Sequence, residues 1–342
     1  MKIRVGILTA PHIEYEQREN TFVLKNVRIG IGFHWDRYED QEFQGTLEIK
    51  SNPDGTETAI NTIDLEDYLC SVISSEMSAD SPMELLKAHA VISRSWAIRA
   101  MQKPNHEDFH VCADDHCQRY EGLLRMNERA VEAVRATKGQ VLMYGDEVCD
   151  CRYYKCCGGK TEVWRTCWED IDVPYIQSVE CPYCGRVSDK TLRLVLNNYD
   201  QETTDFHDWK VTYTADELSE IIRTKSGIDF GQITDLIPLQ RGASGRICKL
   251  KIVGTKRTEI IGKELKIRLW LSKTCLYSSW FDISHNPSPV TGNPSWILTG
   301  HGWGHGAGLC QIGAAQMAAE GHSYEEILHF YYHGTRLSAA AQ

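Results

Sequence analysis

Apolar positions recur at helical spacing over residues 64–101, and the rest of the chain is organised around this stretch. Over 65–73 the apolar side chains share one face, and Asp64 precedes them where a helix N-cap would stand. A second apolar stripe covers 83–97. The motif Ser81-Pro82-Met83-Glu84 before it predicts a capping box with proline at the first helical position. The pattern therefore predicts two packed helices joined by a short turn.

Arg94 falls on the apolar stripe of the second predicted helix. A buried charge without a partner costs several kcal/mol, so this arginine requires an acid. Glu76, at the end of the first helix, is the nearest acid without another explanation. The sequence therefore predicts a Glu76–Arg94 ion pair between the helices, and from spacing alone Glu76 is either structural or functional.

The sequence patterns before and after the helix pair predict two domains. Period-two alternation predicts a β region before the helices, at 2–8, 22–31 and 44–49, and the segments 140–144 and 148–154 resemble a hairpin. From about residue 197 the pattern changes to short strands around a helix that opens at Thr214. We therefore expect an α+β protein with a core domain in two parts, 1–194 and 296–342, and a smaller inserted α+β domain at 195–295.

Composition excludes some partners. The formal net charge of −10 argues against nucleic acid or an anionic membrane surface. No apolar run approaches membrane-spanning length, and no export signal is visible at the start of the chain.

Soft metal ligands are dense between residues 106 and 117. His106, His110, Cys112, His116 and Cys117 lie within a dozen positions, and thiolate and imidazole are the ligands of tetrahedral Zn²⁺. Four protein ligands would close the site and make the zinc structural. Reduced or disulfide-bonded cysteines remain the alternative, because an odd total of 13 cysteines cannot pair completely.

The motif Cys181-Pro182-Tyr183-Cys184 has the spacing of a dithiol redox site. A redox enzyme would need a strand before the motif and a long helix beginning at it, whereas Gly185 and a polar stretch follow. A disulfide or metal clip is favoured over redox catalysis. Its partners would come from the other cysteines nearby, namely Cys149, Cys151, Cys156, Cys157 and Cys167.

A glycine-rich loop covers residues 300–308, with two histidines and one tryptophan projecting from it. Glycine lets a backbone approach a ligand closely because it has no Cβ. The loop is consistent with an anion cradle or a sugar-binding cleft, and equally with a tight packing turn.

These blocks together resemble the SpoIID/LytB family. The matching segments are LEDYLCSVISSEM, LLKAHAVISRSWAI, HCQRYEG, YYKCCGGKTE, RGASGRICKLKIVG and the final GHGWGHGAGLCQIGAAQMAAEGHSYEEILHFYYHG, in the family's order and over nearly the whole chain. The resemblance implies a two-domain, Y-shaped protein that acts on peptidoglycan in the cell envelope. It would be either a lytic transglycosylase or a non-catalytic, peptidoglycan-binding enhancer of an N-acetylmuramoyl-L-alanine amidase.

The resemblance also implies roles for particular residues. Glu76 matches the family's proposed catalytic acid. The positions matching its other blocks, expected to bind substrate, are Arg94, Gln118, Tyr120, Tyr154, His305 and Gln311. Zinc binding by some members supports Cys112, His116 and Cys117 as ligands, with His106 or His110 as the fourth. Cys310 departs from the family's pattern, which has serine at this position. Ser93, Cys156, Cys181 and Cys184 also depart from the pattern.

One acid is enough for a lytic transglycosylase, because the same carboxyl can protonate the leaving oxygen and then deprotonate the C6 hydroxyl. Hydrolysis normally uses two carboxylates, which Asp67, Asp114 or Asp115 would have to supply. An arginine beside Glu76 would hold it ionised. Arg94 is therefore expected to pair with the lactyl carboxylates of glycan lacking stem peptides.

Overall fold

The computed structural model describes residues 1–30, 37–78, 80–114, 116–196, 205–286 and 295–340. Within these residues, helices alternate with small sheets, and the α+β class expected from the sequence is confirmed. The helices are α1 (Leu65–Glu76), α2 (Met83–Gln102), α3 (Glu128–Ala136), α4 (Trp164–Cys167), α5 (Asp189–Val195), α6 (Ala215–Ser226), α7 (Glu264–Trp270), α8 (Gln311–Ala319) and α9 (Tyr324–Tyr331).

The first strands form two small sheets. These strands are β1 (Lys2–Ala10), β2 (Tyr15–Gln17), β3 (Thr21–Ile29), β4 (Arg37–Gln44), β5 (Thr46–Ser51), β6 (Glu57–Asp64) and β7 (Val111–Cys112). Their orders are β5-β6-β1-β7 and β2-β3-β4. Strand β6 leads directly into α1, and β7 pairs in parallel with β1, so the two ends of the helix pair are tied to one sheet.

The remaining strands belong to four three- or two-stranded sheets. They are β8 (Gln140–Tyr144), β9 (Glu147–Val148), β10 (Tyr153–Tyr154), β11 (Asp208–Thr214), β12 (Ile233–Arg241), β13 (Ile247–Gly254), β14 (Thr258–Ile261), β15 (Phe281–Asn286), β16 (Ser295–His301), β17 (Leu309–Cys310) and β18 (Arg336–Ala339). The orders are β18-β8-β9, β10-β17, β11-β16-β15 and β12-β13-β14.

The start of α1 is confirmed, whereas the start of α2 differs from the prediction. Asp64 Oδ1 accepts a hydrogen bond from the Glu66 backbone N at 2.9 Å, as an N-cap does. Helix α2 begins at Met83 with Pro82 at the N-cap and no side-chain cap, so the predicted capping box is wrong. Its glutamate, Glu84, instead accepts from the Tyr324 backbone N at 2.8 Å and thereby ties α2 to the start of α9.

The predicted hairpin is only partly formed. Strand β8 pairs with β9 over two residues of each, and the chain then leaves this sheet. Tyr153 and Tyr154 pair in parallel with Leu309 and Cys310 of β17, which directly follows the glycine loop. A partner 156 positions away thus displaces the local one, and the pairing joins the middle of the chain to its final segment.

The described residues form two separate hydrophobic clusters. The larger includes α1, α2, α8 and α9. The smaller is built from buried residues between Trp209 and Leu298, all but a few inside the segment 195–295 predicted as an insertion. The domain boundaries themselves stay a prediction. None of the helices described here has the length and apolar character required to cross a bilayer.

Candidate functional site

Glu76 is the last residue of α1, and its side chain is half-buried. The chain turns to extended backbone at Met77, which ends the helix. Glu76 Oε1 accepts hydrogen bonds from the Arg119 backbone N and from the Tyr153 hydroxyl, both at 3.0 Å. Donors from two distant segments therefore orient the carboxyl of Glu76.

Arg94 is fully buried and pairs with Glu66, not with Glu76. Its Nε and Nη2 atoms lie 2.8 and 2.7 Å from the two carboxylate oxygens of Glu66. Glu66 and Glu76 are ten residues apart on one helix, about 15 Å along its axis. The predicted Glu76–Arg94 ion pair is therefore wrong.

The remaining bonds of Arg94 also lie inside the protein. Its Nη1 and Nη2 donate to the backbone carbonyls of Gln140 and Val134, at 3.1 and 3.3 Å. Arg94 thus joins α1, α2 and the chain around α3. It is placed as a structural residue and not as the arginine that would pair with a lactyl carboxylate.

Tyr153 connects the helix-pair block to the glycine loop. Its hydroxyl donates to Glu76, and its backbone carbonyl accepts from His305 Nε2 at 3.0 Å. His305 Nδ1 accepts from the Ala307 backbone N at 3.1 Å. Burial, followed by the charge of Arg152, holds the pKa of His305 well below its usual value, so the ring is neutral. Because both ring nitrogens bond to backbone groups, His305 holds the loop in place.

Gln118 and Tyr120 are buried, although the resemblance implies substrate contact for both. Gln118 Oε1 accepts from the Tyr68 hydroxyl at 3.1 Å, and its Nε2 donates to the Ser93 carbonyl at 3.4 Å. The Tyr120 hydroxyl donates to Asn61 Oδ1 at 2.7 Å. These bonds make the two residues part of the packed layer that supports the site.

Gln311 is also buried, at the start of α8, and contacts a buried histidine of α2. Its Nε2 lies 3.1 Å from His89 Nε2. Burial lowers the pKa of His89 to about 3, so Nε2 of the neutral ring can accept from the amide while Nδ1 faces Ser93 Oγ at 3.2 Å. The His89 ring packs edge-on against Tyr153, with 4.4 Å between ring centroids.

Tyr154 lies on the side of β10 opposite Tyr153, because successive side chains of a strand alternate. It is buried, and its ring packs against that of His305 at 5.2 Å between centroids. Of the adjacent tyrosines, the resemblance selects Tyr154, whereas the residue that contacts Glu76 is Tyr153.

The buried neutral state of His89 leads to a testable pH dependence. Its pKa is lowered on folding, so between the usual value of 6.5 and about 3 the unfolded state binds a proton that the folded state does not. The free energy of unfolding therefore has its full contribution from neutral His89 above pH 6.5. Below that pH it falls by up to about 1.4 kcal/mol per pH unit. Denaturant unfolding of wild type and His89→Gln from pH 7 to about pH 5 should show a shallower loss for the variant. Parallel curves would contradict a buried, neutral His89.

A first group of metal-ligating side chains contains His106, Cys112, His116 and Cys117. Their ligand atoms all lie within 4.8 Å of one another. Cys117 Sγ is 3.4 Å from His106 Nε2 and 3.6 Å from His116 Nδ1, and Cys112 Sγ is 3.9 Å from the same Nδ1. Tetrahedral zinc with usual bond lengths places sulfur and nitrogen ligands about 3.6 Å apart, so the four residues fit one such ion.

Hydrogen bonding from Cys117, followed by that from His116, lowers the pKa of Cys112 to about 4. This shift favours the thiolate of Cys112, which is the form that binds metals. His110 lies outside the group, and its Nδ1 accepts from the Arg4 backbone N at 3.0 Å. Of the two candidates for a fourth ligand, the structure brings His106 to the other three.

A second group contains Cys157, Cys181, Cys184 and Cys310, again with all ligand atoms within 4.8 Å. The four side chains are buried. Only the spacing of Cys181 and Cys184 is visible in the sequence, because Cys157 and Cys310 come from distant segments. The structure thus brings Cys181 and Cys184 together with Cys157, one of their expected partners, and with Cys310, which the sequence did not suggest.

Comparisons with known proteins add to this geometry. The family model described as "Stage II sporulation protein" matches residues 53–144, and one described as "Domain of unknown function (DUF8618)" matches residues 162–308. An uncharacterised protein of Brachyspira hyodysenteriae is 31% identical over 326 residues, covering 92% of this chain and 80% of the relative.

Two relatives from Bacillus subtilis have descriptive names. Stage II sporulation protein D is 27% identical over 299 residues, covering 82% of this chain and 76% of its own length. Amidase enhancer is 27% identical over 300 residues, covering 78% of this chain and 40% of its own length. The first model match contains both Glu76 and the first metal-ligating group.

Proposed function

This chain belongs to the stage II sporulation protein D family, and from that premise we propose that it is a peptidoglycan lytic transglycosylase. It would cleave the glycan between MurNAc and GlcNAc, in strands lacking stem peptides, and leave 1,6-anhydroMurNAc ends. Glu76 would be the acid and base of the reaction. Because peptidoglycan is its substrate, the protein would act outside the cytoplasm.

The carboxyl of Glu76 is the observation that carries this proposal. A general acid must be held at a defined position and still reach a ligand. Glu76 meets both conditions, because it is half-buried at a helix end and its Oε1 is held by the Arg119 N–H and the Tyr153 hydroxyl. Since Arg94 is neutralised by Glu66, the arginine expected to keep Glu76 ionised is engaged elsewhere.

The proposed reaction uses one carboxyl twice. Protonated Glu76 gives its proton to the glycosidic oxygen as the bond to C1 of MurNAc breaks, and GlcNAc leaves with a new 4-hydroxyl. The C6 hydroxyl of MurNAc then bonds to C1, and its proton returns to the Glu76 carboxylate. One C–O bond breaks and another forms, no water is consumed, and the enzyme ends in its starting state.

The alternative acids offer little support for hydrolysis. Asp67 lies nine residues before Glu76 on α1, about 13.5 Å along the axis, whereas the two carboxyls of an inverting glycosidase lie roughly 6.5–9.5 Å apart and those of a retaining one closer still. Asp114 lies between Cys112 and His116 in the loop of the first metal group. Asp115 lies outside the described residues.

A second candidate function is that of a non-catalytic amidase activator that binds glycan. It is favoured by the similarity to a relative named amidase enhancer, and a cell-wall amidase would then be the partner. The two functions separate in one assay, in which the protein is incubated with amidase-treated glycan and the ends are identified by mass spectrometry. Anhydro-muramyl ends support the transglycosylase. Their absence, with stimulation of an added amidase, supports the activator.

The inserted segment 195–295 would form one wall of the substrate cleft. Its support is the contact between this segment and the glycine loop, where the Gly304 backbone N donates to the Tyr277 carbonyl at 2.7 Å and the His301 backbone N to the Trp280 carbonyl at 2.9 Å. Tyr153 bonds both Glu76 and His305, so the glycine loop and the acid belong to one region.

Structural zinc is proposed for His106, Cys112, His116 and Cys117, the group that fits a closed tetrahedral site. The segment that follows Cys117 carries Gln118 and Arg119, so the ion would fix the chain that supplies the N–H to Glu76.

Replacing Cys112 and Cys117 by serine is expected to remove about one zinc per chain, as measured by elemental analysis. The melting temperature should also fall, because binding to the folded state stabilises it. Cys70→Ser, at a cysteine outside both metal-ligating groups, is the control and should retain all zinc. Unchanged zinc content and stability in the double variant would contradict this site.

A further inference from the structure

We propose that Cys157, Cys181, Cys184 and Cys310 bind a second zinc ion, separate from the first group. All four sulfurs lie within 4.8 Å of one another, and Cys157 and Cys184 are 3.2 Å apart. A tetrahedral zinc–thiolate site places its sulfurs about 3.8 Å apart. So compact a set fits a single ion at its centre better than a polynuclear cluster, in which the four sulfurs are divided among several metal atoms.

Hydrogen-bond donors surround these sulfurs, as they do around metal thiolates. Cys310 Sγ accepts from the backbone N–H groups of Cys157 and Gly313, at 3.2 and 3.3 Å. Cys310 is the N-cap of the nine-residue helix α8, whose positive end favours a thiolate. The Tyr331 hydroxyl lies 3.3 Å from Cys181 Sγ.

A buried cation lies beside the group. Arg246 is fully buried, and its Nη2 donates to the backbone carbonyl of Cys157 at 3.2 Å. Four thiolates and one Zn²⁺ carry two negative charges, which are costly to bury without compensation. The position of Arg246 offsets part of this charge.

The ligands come from three different segments of the chain. Cys157 follows β10, which carries Tyr153, and Cys310 ends β17 after the glycine loop. Cys181 and Cys184 lie in the connection that leads to α5. Just before Cys157, the backbone of Cys156 exchanges two hydrogen bonds with Trp303 of the glycine loop, at 3.0 and 2.8 Å. The ion would therefore clamp the glycine loop to the strand that contacts Glu76.

Zinc content and coordination test the proposal in protein purified under reducing conditions. With both sites filled, elemental analysis should give about two zinc ions per chain. Cys181→Ser/Cys184→Ser should retain one, bound at the first group. Cys248→Ser/Cys275→Ser, at half-buried cysteines outside both groups, is the matched control and should retain both.

X-ray absorption on the unaltered protein keeps the proposal testable if the cysteine variant fails to fold. Two sites would average about three sulfur and one nitrogen ligands per zinc, whereas the first group alone would give about two of each. A single zinc with only sulfur ligands would support the second site and overturn the first. A disulfide among these four cysteines, iron in place of zinc, or one zinc with equal sulfur and nitrogen would overturn the second.

Discussion

Replacing Glu76 by glutamine is expected to reduce the formation of anhydro-muramyl ends roughly a hundredfold or more, the loss typical of a missing general acid. The amide is nearly isosteric, and its carbonyl oxygen can still accept from the Arg119 N–H and the Tyr153 hydroxyl. Fold and glycan binding should therefore be retained. The variant lacks only the proton that the leaving oxygen requires.

Matched variants separate the acid from its surroundings. Asp67→Asn, on the same helix, and Asp114→Asn should keep their activity, as should Asp115→Asn. Tyr153→Phe removes the hydroxyl donor to Glu76 but not the His305 contact, which uses the Tyr153 backbone carbonyl. Its activity should therefore fall less than that of Glu76→Gln. Full activity of the Glu76→Gln variant would contradict Glu76 as the acid. Absence of anhydro-muramyl ends from the wild-type protein, with stimulation of an added amidase, would end the enzyme hypothesis and leave the activator in its place.

Replacing Glu66 by alanine is expected to lower the free energy of unfolding by about 3–5 kcal/mol, the usual cost of leaving one member of a buried ion pair alone. Arg94 has no exposed side-chain surface, whereas the Glu66 side chain is 22% exposed. Water therefore cannot hydrate the charge of Arg94 once its partner is removed. Equilibrium unfolding in denaturant measures the loss.

Two controls identify the cause of that loss. The double variant Glu66→Ala/Arg94→Met should be more stable than Glu66→Ala, because it removes the stranded charge. Glu220→Ala disrupts an equally bidentate pair with Arg223 that is more than half exposed, and it should change stability little. Equal losses at Glu66 and Glu220 would contradict the importance of burial.

The two helices were predictable, whereas their pairing was not. Leu69 and Ile73 lie on the buried face of α1, and helical spacing extends that stripe backwards to Glu66 and forwards to Glu76. Glu66 and Glu76 therefore lie on the same stripe at opposite ends of α1, and either could be the partner of Arg94. The choice between them depends on how α2 packs against α1, which spacing within one helix cannot give.

Local chemistry was predicted better than contacts between distant segments. The cap by Asp64 is confirmed, because a capping side chain bonds within its own turn. The contact of Tyr153 with Glu76 depends on the parallel pairing of β10 with β17, which no local pattern encodes. Tyr153 and Tyr154 face opposite sides of a strand, so taking both as candidates would have included the one that contacts Glu76.

The cysteine groups show the same limit. His106, Cys112, His116 and Cys117 lie close in sequence, so their density was visible and only the choice between His106 and His110 needed the structure. The second group spans residues 157–310. The sequence showed its central Cys-x-x-Cys and offered Cys157 as one of five possible partners, but not Cys310. Cys310 had been noted as a departure from the family's serine, and the structure places it among the other three.

Cleavage in water enriched in ¹⁸O tests the central claim most directly. The protein is incubated with amidase-treated glycan in this solvent, and the masses of the new muramyl ends are measured. An internal attack by the C6 hydroxyl predicts ends that are lighter by one water than reducing ends and that carry no ¹⁸O, formed by wild type and not by Glu76→Gln. Reducing muramyl ends that contain ¹⁸O, or no new ends at all, would contradict a lytic transglycosylase.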